Sequence, residues 1–71
     1  MTNYYFIEVS DTAKTWTEKF CIEAQEDTVV RRAKKEIGWN GLRCNRKDCG
    51  QTIRLNPRGL DLVAIIERDP N

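Results

Sequence analysis

Two segments of this chain carry apolar side chains at consecutive positions instead of at every second one. They are Tyr4-Tyr5-Phe6-Ile7-Glu8-Val9 near the start and Leu60 to Glu67 near the end. In an extended strand, Tyr5, Ile7 and Val9 point to one face, and Tyr4 and Phe6 to the other. In the last segment, Leu60, Leu62, Ala64 and Ile66 oppose Val63 and Ile65. Strands of this kind lie at the centre of a sheet, where both faces meet a cover. With 71 residues the chain has room for one domain, 1–71, and for a small core.

The remaining segments supply one helix at most. Thr17 to Ala24 alternates, with Phe20, Ile22 and Ala24 on one side and Lys19, Cys21 and Glu23 on the other, which predicts a half-buried strand. Small polar residues, Ser10 to Lys14, separate it from the first strand and predict a hairpin with a long loop. From Asp27 the period changes. Val29, Val30, Ala33 and Ile37 share one face of a helix over 27–38. Asp27 or Thr28 is placed to cap it, and Gly38 to end it in a left-handed conformation. Trp39-Asn40-Gly41 reads as a turn and 42–45 as a possible short strand. Arg46-Lys47-Asp48-Cys49-Gly50 reads as a polar loop. Gln51 to Asn56 is the next strand, Pro57-Arg58-Gly59 a tight reversal, and Asp69-Pro70-Asn71 a fraying end.

The expected fold class is therefore α+β, with one helix packed on a four- to five-stranded mixed, mostly antiparallel sheet. The element order is β-β-α-β-β, or β-β-α-β-β-β if 42–45 pairs as a strand. One helix covers one face of such a sheet. The other is left partly bare, covered by a loop, or buried against a second molecule.

The hairpin, the helix opening Asp27-Thr28-Val29, its face Val30/Ala33/Ile37 and the closing strand Leu62-Val63-Ala64-Ile65-Ile66 together resemble the ubiquitin-like β-grasp fold. Sulfur carriers and protein modifiers of that family end in Gly-Gly, whereas this chain ends in Asp69-Pro70-Asn71, so conjugating chemistry is not implied. The element order is also similar to that of small phage and mobile-element accessory proteins that bind and inhibit host machinery.

Catalysis finds no support in the residues. The chain has no histidine for proton transfer near neutral pH, no nucleophile beside an evident base and no glycine-rich phosphate loop. An enzyme is not expected, nor a cofactor. Cys44 and Cys49 frame a loop, and Cys21 with Asp48 could complete a zinc tetrahedron. The four-residue spacing without a second pair argues instead for incidental thiols and no metal. The longest apolar run, Leu62 to Ile66, is too short for a bilayer, and the N-terminus lacks the pattern of a secretory signal. A cytoplasmic protein with reduced thiols and no membrane role is the expectation.

Two binding surfaces are in prospect. The first is Tyr4, Phe6, Val63 and Ile65, on the sheet face that the helix leaves bare, for another protein or for self-association. The second is a basic stretch. Residues 31–59 carry a net charge of +7, between termini of −4 and −2. Arg31, Lys34, Lys35, Arg43, Arg46 and Lys47 offer phosphate contacts for nucleic acid. A non-enzymatic protein-interaction module, such as a small regulator or inhibitor, is the first expectation. A nucleic-acid-binding domain using 31–58 is the alternative.

Overall fold

A computed structural model describes residues 2–70. Its elements are β1 (Asn3–Ser10), β2 (Thr17–Ala24), a 3-10 turn (Glu26–Thr28), α1 (Val29–Glu36), β3 (Cys44–Cys49), β4 (Thr52–Pro57) and β5 (Val63–Arg68). They form one five-stranded sheet in the order β2-β1-β5-β4-β3, with β5 at the centre and β1 beside it. Both strands with apolar side chains on two faces are thus interior, as their pattern predicts.

All four strand pairings are antiparallel. This departs from the mixed sheet expected: no neighbouring strands of the described chain run parallel. Four successive reversals leave the edge strands, β2 and β3, pointing the same way. The helix and its flanking loops therefore carry the chain from one edge of the sheet to the other.

The helix is shorter than its apolar spacing predicts, because its first turn is wound as 3-10. Thr28 stands at the N-cap position of α1 but makes no side-chain cap. Its hydroxyl donates to the Gln25 carbonyl at 3.3 Å instead, beside the Thr28 N–H, which donates to the same oxygen at 3.1 Å and closes the 3-10 turn. The C-terminus follows the expectation. Gly38 adopts φ +79°, its N–H donates to Lys35 O at 3.3 Å, and the Trp39 N–H donates to Lys34 O at 2.7 Å. This is a Schellman closure, and it directs Trp39 into the core.

Strand β3 corrects the reading of 46–50 as a loop. Residues 44–49 pair with β4 from Cys44 opposite Pro57 to Cys49 opposite Thr52. The two-residue connection Gly50-Gln51 reverses the chain, helped by φ +65° at Gly50. Edge strands are blunted by charge, which keeps other chains from pairing with them, so a polar composition does not exclude a strand. Strand β5 starts later than the apolar run, at Val63. Leu60 lies in the preceding connection and is exposed, because the Leu60 N–H turns back to Pro57 O at 3.3 Å. The expected fraying also fails at Asp69, whose N–H donates to Tyr4 O at 2.8 Å, while Asn71 lies outside the described residues.

The core lies between the helix and one sheet face. Tyr5, Ile7, Val9, Ile22, Ala24, Leu55, Ala64 and Ile66 meet Val29, Ala33 and Trp39 there. Cross-strand register aligns them, with Tyr5 opposite Ile22, and Ile7 and Ile53 both opposite Ile66. Each fully buried aliphatic side chain contributes roughly 1.5–3 kcal/mol. Lys34 adds a polar tie, donating from Nζ to the Leu42 carbonyl at 2.7 Å. No helix among the described residues is long and apolar enough to cross a membrane.

Candidate functional site

The register also defines the face that the helix leaves open. Tyr4, Phe6, Glu8 and Ser10 of β1 lie there, with Lys19, Cys21 and Glu23 opposite them on β2. On the other side of β1, Val63 stands opposite Ser10, Ile65 opposite Glu8 and Glu67 opposite Phe6. Arg54 of β4 follows beside Ile65, and Lys47 of β3 beside Arg54.

Of the four residues expected to bind a partner, three belong to the accessible part of this face. Tyr4 is 55% exposed and Phe6 48%, while Ile65 is half-buried. Val63 is only 4% exposed and Ser10 2%, so the face is closed at the end next to the connection between β1 and β2. Val63 therefore shares this face with Phe6 and Ile65 but is not part of its accessible surface. Neither tryptophan covers this face: Trp39 lies in the core between helix and sheet. Trp16 remains largely exposed, just before β2.

Between these side chains runs a shallow groove of about 290 Å³, lined by Phe6, Glu8, Lys14, Lys19, Ile65 and Glu67. Its apolar floor is Phe6 and Ile65. The rim carries two carboxylates and two ammonium groups, with Lys14 Nζ 4.0 Å from Glu8 Oε1. Sequence reasoning found the floor through the two-faced strands. It missed the rim, because Lys14 reaches the groove from a loop and Glu8 and Lys19 meet only through the β1–β2 register.

The basic residues are not gathered in the same way. Arg31 and Lys35 are exposed on the helix, but the Lys34 ammonium is committed to the Leu42 carbonyl. Arg46 is held by Asp48 in a two-point contact, Nε to Oδ1 at 2.7 Å and Nη2 to Oδ2 at 3.0 Å. That contact raises the guanidinium pKa and lowers that of the carboxyl group. Lys47, the next residue along β3, points to the opposite face of the sheet. Arg43 lies in the connection before β3, its carbonyl accepting from the Arg58 N–H at 2.9 Å.

The thiols are equally dispersed. Cys44 and Cys49 stand at opposite ends of β3 and on opposite faces, about 17 Å apart by the rise of a strand. Cys21 is on β2, at the far edge of the sheet. No cluster of metal-binding side chains forms among the described residues.

A second, smaller depression of about 160 Å³ opens on the helix side, between the 3-10 turn and the β3–β4 hairpin. Glu26, Arg46, Asp48, Gln51 and Arg68 line it along with Tyr5. The Tyr5 hydroxyl is buried and has no hydrogen-bond partner among the described residues. Comparison with family models, with curated proteins and with solved structures finds no match for the chain.

Proposed function

We propose that this protein is a non-enzymatic interaction module that binds another protein through the open face of its sheet. The observation that carries the reading is the half-exposed Phe6 beside Ile65 on a face with no helix over it. Aromatic side chains in shallow apolar grooves with polar rims are typical sources of binding energy between proteins. The mixed charge of the rim suits a partner that inserts one apolar side chain and meets Glu8, Glu67, Lys14 and Lys19 with charges of both signs.

A β-grasp-like kinship would fit this role. It rests on the element order, with β1 and β5 adjacent inside the sheet and one helix on one side. The antiparallel β1–β5 pair departs from the mixed sheet that the resemblance implies. Small size and a rigid sheet also suit an accessory protein that regulates or inhibits a larger one.

Capture from an extract of the source cells, with wild-type protein and a Phe6→Lys variant side by side, tests the proposal. Partners retained by the wild type and lost by the variant support it. Partners retained equally by both contradict it.

A further inference from the structure

The outer edge of β2 is a second surface, which adjoins the groove at Lys19. Among the described residues, the backbone of β2 pairs only with β1, so the outward N–H and C=O groups along Thr17–Ala24 have no backbone partner. An unpaired edge of eight residues is a template for another strand. The other edge, β3, is guarded at its middle by Arg46, Lys47 and Asp48, whereas the middle of β2 is Phe20-Cys21-Ile22.

We propose that β2 pairs antiparallel with β2 of a second copy, about a two-fold axis through Cys21, to form a continuous ten-stranded sheet. Charge selects this register. Centred on Cys21, Lys19 of each copy stands opposite Glu23 of the other, on the face away from the helix. Phe20 stands opposite Ile22 of the second copy on the helix-facing side, and both pairs occur twice by symmetry. Centring on Lys19 or Glu23 sets like charges face to face. Centring on Phe20 places Glu18 against Ile22, and centring on Ile22 places Cys21 against Glu23. In the single chain, Lys19 forms no ion pair among the described residues, and Glu23 accepts one bond from the Thr2 hydroxyl at 2.9 Å. The partner is thus identified by complementarity as this same chain.

Sedimentation equilibrium over a concentration series, at low salt, tests the pairing in three variants. Lys19→Glu and Glu23→Lys each replace two attractive pairs by two repulsive ones and should weaken association about tenfold or more. The double exchange Lys19→Glu/Glu23→Lys restores opposite charges and should recover most of the wild-type association. Circular dichroism checks that each variant is folded. The register has its own readout in a Cys44→Ser/Cys49→Ser background, where Cys21 is the remaining thiol. Diamide should join two Cys21 sulfurs, taking up the two protons and two electrons released, and Lys19→Glu should slow that step about tenfold. A wild-type protein that stays monomeric into the millimolar range overturns the proposal. So does a double exchange that fails to recover association, or a Cys21 disulfide that forms as fast with Lys19→Glu.

Discussion

Phe6 and Ile7 are consecutive in β1, yet Phe6 is 48% exposed and Ile7 1%. One peptide bond separates a side chain facing solvent from one at the centre of the core, because successive strand residues point to opposite faces. Their substitutions should separate stability from binding. Ile7→Ala removes buried methyl groups and leaves a cavity, at a cost of about 2–4 kcal/mol, a large part of what a domain this small has to lose. Phe6→Ser should change stability by less than about 1 kcal/mol. Urea denaturation of the two variants measures both; a Phe6→Ser loss equal to that of Ile7→Ala would mean that Phe6 is a core residue.

The Lys34 ammonium anchors the chain leaving the helix through its 2.7 Å bond to the Leu42 carbonyl. Lys34→Met keeps the apolar stem and removes the donor. It should cost about 1.5–3 kcal/mol, the usual loss for a charged hydrogen bond. Lys35→Met, on the exposed side of the same helix, should cost almost nothing. Thermal unfolding of the pair distinguishes them, and equal melting temperatures would refute the assignment.

Tyr5 presents the reverse case. Its hydroxyl is buried without a partner among the described residues, so its deletion removes a desolvated polar group. Tyr5→Phe should leave stability unchanged or raise it by about 1 kcal/mol. A clear fall in the denaturation midpoint would show that the hydroxyl is bonded in solution.

Acid should loosen the β1–β2 connection. Asp11 accepts from the Thr15 N–H at 2.7 Å and from the Thr15 hydroxyl, and the hydroxyl bond chiefly lowers its carboxyl pKa. A carboxyl group with a depressed folded pKa stabilises fully above its unfolded value of about 4, and that contribution is lost as pH falls through the folded value. Amide exchange at Thr15 should therefore accelerate below about pH 4, relative to Asp11→Asn, which has no carboxylate to lose.

Much of the architecture is legible from the residues, and the exceptions have physical causes. Alternation fixes β2 at Thr17–Ala24, and the two-faced apolar runs place β1 and β5 inside the sheet. Strand β3 is legible only in part, as the possible strand at 42–45, because Asn45 to Asp48 are all polar and the pairing of 46–49 is determined by the Gly50-Gln51 reversal and by β4. Strand direction is not written in hydrophobic pattern at all, which is why the pattern leaves the direction of the β1–β5 pair open. For the candidate surface, the pattern identifies Phe6 and Ile65. The burial of Val63 is a tertiary outcome, which its local alternation with Ile65 does not encode.

On the proposed reading, the open sheet face, and not the helix, meets a partner. Placing a photoreactive benzoylphenylalanine at position 6 or at position 35, then irradiating in the source cells, tests it directly. Defined covalent adducts with another protein are expected from position 6 and none from position 35. Adducts from position 35 alone would contradict it.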